Sequence, residues 1–152
     1  GATTSETKVF ETKNAIENGA DEIDMVINVS KLKDKDYDYV KNDVSSVKRA
    51  CGEHNLKVIL ETDLLTSDEI KKACELCIEA GADLVKTSTG FVKNGVGAKV
   101  EDVKLMSETV KPHGLKVKAS GGIRDYEKAM AMIEAGADRL GTSSGIAIVN
   151  HG

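Results

Sequence analysis

The chain has 152 residues, 21 basic and 25 acidic side chains and a formal net charge of −4. This length suits a single domain, predicted to span residues 1–152, with a core of its own. The acidic balance and an aromatic content of 3% argue against a nucleic-acid-binding protein. No apolar run approaches the roughly 18 residues that a membrane span requires.

Helical and strand-like segments alternate along the chain. Five amphipathic helices are predicted, the first at the start of the chain, with a sixth beginning at Ser144. Capping-box patterns mark residues 3–6 and 66–69. Glycine at the helix-to-strand junctions supplies a left-handed C-cap. Strands are predicted to begin near residues 22, 56, 84, 115 and 139. Such alternation is typical of an α/β fold with a parallel sheet.

The cysteines point to a reducing compartment. An odd set of three, Cys51, Cys74 and Cys77, does not resemble a secreted disulfide framework and fits the cytoplasm. Cys74 and Cys77 form a C-x-x-C pair, which could be a redox or metal motif. Because the pair lies inside an amphipathic helix with no second ligand pair to complete a zinc site, buried thiols are the favoured interpretation.

Charged residues share one face of several predicted strands. Successive side chains of a strand point to opposite faces of the sheet. Asp24 therefore lies on the face opposite that of the apolar Ile23 and Met25. In the second strand, Glu61 shares a face with Lys57. A parallel sheet covered by helices on both sides should instead show nearly continuous apolar runs. The pattern therefore favours a closed barrel whose mouth is lined with reactive, ionisable groups.

Small residues follow three of the strands. Their sequences are TSTG at 87–90, ASGG at 119–122 and GTSSG at 141–145. Such segments expose backbone N–H groups that can hold an anion, and barrels often bind phosphate after their last strands. The alternative is that they are ordinary turns.

Lys86 and Lys118 lie on adjacent predicted strands, shortly before two of these segments. A lysine inside a strand is costly unless it is paired or functional. A second cation and desolvation favour the neutral amine, which can form a Schiff base with a carbonyl. Asp24 could move protons. The alternative is a structural ion pair.

Four segments closely resemble the deoxyribose-phosphate aldolase family. They are DEIDMVIN at 21–28, LVKTSTGF at 84–91, VKASGGIR at 117–124 and LGTSSG at 140–145. The resemblance implies a class I aldolase on a (β/α)8 TIM barrel, without a metal or other cofactor. It also implies reversible cleavage of 2-deoxy-D-ribose 5-phosphate to acetaldehyde and D-glyceraldehyde 3-phosphate.

The resemblance also implies roles for individual residues. Lys86 is the Schiff-base nucleophile, Lys118 the neighbouring cation that favours its neutral form, and Asp24 the proton-relay carboxylate. The implied phosphate- and substrate-binding residues are Thr89, Gly121, Gly122, Gly141, Ser143 and Ser144.

Two departures from the family pattern affect these expectations. Phe91 stands where some members have a phosphate-binding lysine, with Lys93 two residues further on. Family members also have about three strands before the segment that resembles residue 1, so a partial barrel of about five βα units, strands 4 to 8, is expected.

The expected partners are a small phosphorylated sugar, aldehydes and, because open strand edges associate, further copies of the chain. Two alternatives remain open: an inactive, self-associating barrel fragment, and a phosphosugar epimerase or isomerase.

Overall fold

A parallel sheet whose strands lie in chain order organises the molecule. The computed structural model describes residues 4–89, 96–123 and 125–141. Within them the sheet order is β1-β2-β3-β4-β5, and each neighbouring pair is parallel. The strands are β1 (Glu22–Val26), β2 (Asn55–Ile59), β3 (Leu84–Lys86), β4 (Lys116–Ser120) and β5 (Arg139–Gly141). Each begins within one residue of its predicted start.

The helices connect these strands, as the alternating pattern predicts. They are α1 (Ser5–Glu17), α2 (Val29–Lys33), α3 (Tyr37–Cys51), α4 (Ser67–Ala80), α5 (Val100–Val110) and α6 (Tyr126–Ala135). Short 3-10 turns cover Thr62–Leu64 and Lys111–His113. The five-residue α2 was not predicted, because it is too short to show an apolar period. The helix expected from Ser144 lies outside the described residues.

One of the two predicted capping boxes forms. The Thr66 hydroxyl accepts a hydrogen bond from the Glu69 N–H at 3.2 Å, and the Glu69 carboxylate accepts one from the Thr66 N–H at 2.8 Å. At α1 the N-cap is Thr4, whose hydroxyl accepts from the Thr7 N–H. Glu6 is then the second helical residue, one position too early for a capping box, so the box predicted over residues 3–6 is wrong.

The core lies between the sheet and the apolar faces of the helices. Val40, Val44 and Val47 of α3 are fully or almost fully buried. They belong to one cluster with Val58 of β2 and Val85 of β3. Neighbouring helices also pack on one another in the order α3, α4, α5, α6. In the part of the chain that is described, no helix is long and apolar enough to cross a membrane.

The cysteines are buried, as predicted. Cys74 and Cys77 lie in the apolar stripe of α4 and have no exposed surface, and Cys51 at the end of α3 is almost completely buried. Burial raises the pKa of the Cys74 thiol to about 12, and it also raises the pKa values of Cys77 and Cys51. These thiols therefore contribute to packing.

Thiol reactivity tests this assignment. In the native protein at pH 8, all three cysteines should react with Ellman's reagent at least about 100-fold more slowly than in guanidinium chloride, because reaction needs both local opening and thiolate formation. The denatured protein, which should release three equivalents, is the control. Rapid labelling of Cys74 or Cys77 in the native state would show that the C-x-x-C pair is accessible.

Candidate active site

Charged side chains from all five strands meet on one face of the sheet. We call this set the charged cluster; its members are Glu22, Asp24, Lys57, Lys86, Lys118 and Arg139. Strand register aligns them, since Asp24 pairs with Lys57 across β1 and β2. Lys118 pairs with Lys86 on one side and with Arg139 on the other. The sheet thus brings together the three residues predicted to carry the chemistry.

Asp24 contacts two lysines. One of its carboxylate oxygens lies 3.3 Å from the Lys57 Nζ and the other lies 3.9 Å from the Lys86 Nζ. The side chains of Lys57 and Lys86 are only 11% and 16% exposed, against 40% for Asp24. The sequence pattern puts Lys57 on a charged strand face, but Lys57 is a site residue that the sequence does not predict. Its alternation with Val58 is the signal that could have identified it, since this puts Lys57 on the face opposite the apolar core; its register with Asp24 is visible only in the structure.

A salt bridge between the outermost described strands shows that the sheet is strongly curved. The Arg139 Nη1 of β5 lies 2.9 and 3.1 Å from the two carboxylate oxygens of Glu22 in β1. Neighbouring strands are about 4.8 Å apart, so a flat five-stranded sheet would hold its edges about 19 Å apart. The hydrogen bond from Arg139 lowers the pKa of the Glu22 carboxyl. The curvature agrees with the expected partial barrel.

The site disfavours the protonated form of Lys118. Burial lowers the pKa of its amine, and the charges of Lys57 and Lys86 lower it further, while Asp24 partly offsets them. An amine with a lowered pKa gives up its proton more readily. Lys118 can therefore exchange protons beside Lys86.

The ends of β3 and β4 are tied to each other by hydrogen bonds. The Thr87 hydroxyl donates to the Ser120 carbonyl at 2.8 Å and accepts from the Ser120 N–H at 2.9 Å. The Ser120 hydroxyl donates to the Ser88 carbonyl at 2.7 Å. These bonds place residues 87–89 and the ASGG segment side by side.

The ASGG segment ends in a turn that requires glycine. Gly121 and Gly122 have φ values of +83° and +70°, a region that favours residues without a β-carbon. The Ser88 side chain packs against Gly121. The Ser88 hydroxyl is buried and has no hydrogen-bond partner among the described residues. The glycine turn thus lies beside a buried hydroxyl of the neighbouring segment 87–89, unpaired within the described part of the chain.

The remaining predicted binding residues differ in their positions. Thr89 is held by Glu61, which accepts hydrogen bonds from its N–H at 2.7 Å and from its hydroxyl at 2.6 Å. Gly141 ends β5 beside Lys118 and Ser120; a β-carbon there would lie 3.1 Å from a side-chain carbon of each. Ser143 and Ser144, like Phe91 and Lys93, lie outside the described residues.

Glu61 does not continue the strand as expected. β2 ends at Ile59, and Glu61 adopts a left-handed conformation with φ of 56° and ψ of 62°. The chain therefore turns after the strand, and the Glu61 carboxylate points to Thr89.

The curved sheet of βα units with interior lysines and a carboxylate is typical of barrel enzymes that use an amine nucleophile. Residues 2–151 match the model of the DeoC/LacD family aldolases. The chain belongs to this family, which favours the aldolase interpretation over the epimerase or isomerase alternative.

Curated relatives support the same assignment. The chain is 60% identical over 149 residues to a protein named deoxyribose-phosphate aldolase from Mycoplasma capricolum, covering 98% of this chain and 66% of that one. It is 62% identical over 149 residues to a protein of the same name from Finegoldia magna, covering 98% and 68%. The chain thus spans about two thirds of the length of these relatives.

Solved structures match the fold. The structure titled "QR15, an Aldolase" has a TM-score of 0.91 and 49% identity, with coverage of 99% of this chain and 67% of that chain. A deoxyribose phosphate aldolase from Aeropyrum pernix, described as having a unique tetrameric structure, has a TM-score of 0.85 and 34% identity, with coverage of 99% and 62%.

Replacing Lys118 with Met should stabilise the fold at pH 7. The pKa of Lys118 is lower in the folded chain than its ordinary value of 10.5. Between the lowered pKa of the folded chain and 10.5, the unfolded state therefore binds more protons than the folded state. In that pH range the stability of the wild type rises with pH. Lys118→Met should therefore have a higher Tm than wild type at pH 7, and the difference should shrink toward pH 10.5. Circular dichroism melting across this range measures it.

Lys116→Met is the matched control, because Lys116 is an exposed lysine of the same strand. A Lys118→Met variant that is less stable than wild type by the same amount at every pH would contradict the assigned electrostatic cost.

Proposed function

We propose that this chain carries the catalytic residues of a class I aldolase acting on 2-deoxy-D-ribose 5-phosphate, which it cleaves reversibly to acetaldehyde and D-glyceraldehyde 3-phosphate. The observation that carries the proposal is the largely buried Lys86 amine, 3.9 Å from Asp24 and in register with Lys118. The names of the curated relatives supply the substrate.

Lys86 would act as the nucleophile. Its neutral amine attacks the C1 aldehyde of the open-chain sugar phosphate to give a carbinolamine, which loses water to form an iminium ion. The C3 hydroxyl then gives up its proton, and the electron pair of the C2–C3 bond moves into the iminium. D-Glyceraldehyde 3-phosphate leaves, and the remaining enamine is protonated at C2 and hydrolysed to acetaldehyde, which restores the lysine.

Asp24 and Lys118 would move the protons that these steps require. Asp24 lies within reach of the Lys86 amine, so its carboxylate can stabilise the iminium and exchange protons with the carbinolamine. Lys118, whose pKa is lowered by burial and by the neighbouring lysines, can serve as a second proton carrier beside Lys86.

The substrate phosphate would bind at the strand ends. We assign it to Gly121, Gly122, Gly141, Ser143 and Ser144, with Thr89, whose N–H and hydroxyl donate to Glu61, as a neighbouring residue of the same site. The left-handed backbone at Gly121 and Gly122 supports this assignment. The charged cluster also has four cations against two carboxylates, which favours an anionic ligand.

A homo-oligomer in the cytoplasm is also proposed, with residues 1–152 as one domain. Within the described residues β1 pairs only with β2, and a cavity of about 570 Å³ is lined by β1 and by residues of α1. An unpaired strand edge favours association. The same edge favours a second candidate function, in which this chain alone associates with further copies without catalysing the reaction.

The cytoplasmic location is supported by the three buried free thiols, which suit a reducing compartment.

Borohydride trapping tests the proposed nucleophile. Treatment with acetaldehyde and sodium borohydride should reduce the Schiff base and leave one ethyl group on the peptide containing Lys86. Lys86→Met should prevent this adduct and reduce cleavage of deoxyribose phosphate to background, whereas Lys71→Met, which changes an exposed lysine of α4, should change neither.

The Finegoldia magna relative is the positive control for the chemistry. Modification of that protein, with no mass increase on the Lys86 peptide of this chain, would contradict the proposal and favour the non-catalytic candidate.

A further inference from the structure

The segment after β2 runs alongside the end of β3. The Leu60 and Thr62 N–H groups donate to the carbonyls of Lys86 and Thr87, each at 2.9 Å. Glu61 lies between these two contacts, and its left-handed φ of 56° is unfavourable for a residue with a β-carbon. The flanking hydrogen bonds hold the backbone in this conformation and turn the Glu61 side chain toward the chain that follows Lys86.

The Glu61 carboxylate is buried and fully engaged with Thr89. Glu61 as a whole residue is only 8% exposed. One oxygen accepts from the Thr89 N–H at 2.7 Å and the other from the Thr89 hydroxyl at 2.6 Å. Hydrogen bonds to an ionised acceptor are the stronger kind. Glu61 therefore fixes both the backbone and the side chain of Thr89.

Asp63, two residues later, holds a second point on the same stretch of chain. Its two carboxylate oxygens accept from the Val96 N–H at 3.1 Å and the Gly97 N–H at 2.8 Å. Glu61 and Asp63 thus anchor Thr89 and Val96–Gly97, which flank the residues 90–95 that lie outside the described part.

Val96 and Gly97 in turn contact the glycine turn of β4. The Ala98 N–H donates to the Gly121 carbonyl at 3.0 Å. A β-carbon on Gly97 would overlap the Gly121 backbone, and one on Gly122 would overlap the Val96 carbonyl. The two backbones are in such close contact that the position of Val96–Gly97 determines where Gly121 and Gly122 can lie.

We propose that Glu61 and Asp63 are positioning residues for phosphate recognition: by hydrogen bonding to Thr89, Val96 and Gly97 they fix the backbone of the turns that hold the substrate phosphate. This inference rests on the proposed function, because it concerns the same phosphate. A carboxylate facing a phosphate would repel it, whereas the oxygens of these two carboxylates face N–H and O–H groups of the protein. Their contribution is therefore geometric.

Substitutions at Glu61 separate geometry from charge. Glu61→Gln keeps an acceptor for the Thr89 N–H and an amide that can donate to the Thr89 hydroxyl oxygen, but it removes the charge. Glu61→Gly removes the side chain and is compatible with the left-handed backbone, so the variant should fold. Glu75→Gln, at an exposed carboxylate of α4, is the matched control.

The readout is KM and kcat with 2-deoxyribose 5-phosphate and with unphosphorylated 2-deoxyribose. Glu61→Gly and Asp63→Ala should raise KM for the phosphorylated sugar about tenfold or more, equivalent to the loss of about one good hydrogen-bonded contact. They should change kcat/KM for 2-deoxyribose by less than about threefold. Glu61→Gln and Glu75→Gln should stay within about threefold of wild type for both sugars.

Two results would overturn the proposal. Loss of kcat in Glu61→Gln, with KM unchanged, would mean that Glu61 transfers protons itself. Equal losses on both sugars in Glu61→Gly would mean a general structural role.

A binding measurement separates this inference from the proposed function. Titration with inorganic phosphate, followed by ¹⁵N NMR, should shift the Gly121 and Gly122 amides in wild type and Glu61→Gln but much less in Glu61→Gly. If the wild-type chain cleaves neither sugar, the proposed function fails, and this titration still decides the positioning role. Equal shifts in all three proteins, or no shifts in wild type, would overturn the positioning role of Glu61.

Discussion

Strand register is the constraint on which the candidate site depends. Asp24 lies beside Lys57, and Lys86 lies between Ile59 and Lys118, because neighbouring strands pair in one particular alignment. A shift of one residue in any strand would turn its charged side chains toward the helices and its apolar side chains toward the site. The buried apolar residues on the opposite face make such a shift costly. The core thus maintains the geometry of groups that lie on the other face of the sheet.

The same register gathers more positive than negative charge, and curvature concentrates it. The Glu22–Arg139 salt bridge joins the outermost described strands, so the side chains between them point into a concave space. Burial there lowers the pKa of Lys118, and repulsion from Lys57 and Lys86 lowers it further. A fold does not need this arrangement for stability; four cations beside two carboxylates are an electrostatic cost. The cost is understandable where an amine must lose its proton and an anionic substrate must enter.

The sequence was informative about features that repeat and uninformative about single long-range contacts. Strand starts, the five longer helices and the shared face of Asp24, Lys86 and Lys118 follow from periodicity and junction glycines. Lys57 was missed because a lysine at the start of an alternating strand resembles a solvated residue until its partner is known. Glu61 was expected to continue a strand, since no local pattern indicates that a glutamate will adopt positive φ. That conformation depends on hydrogen bonds to Lys86 and Thr87 of another strand.

The proposed amine chemistry and the proposed phosphate recognition rest on different parts of the fold. The lysines and Asp24 are positioned by strand register, whereas the turns after β3 and β4 are positioned by contacts between loops, from Glu61 to Thr89 and from Gly97 to Gly121. The two parts meet at the Thr87–Ser120 hydrogen bonds, directly after the strands that carry Lys86 and Lys118. On the proposed function, changes in the loops should therefore alter which substrate is held, while the proposed nucleophile and proton carriers keep their geometry. Loops can diversify specificity on this scaffold because the strands fix the chemistry independently of them.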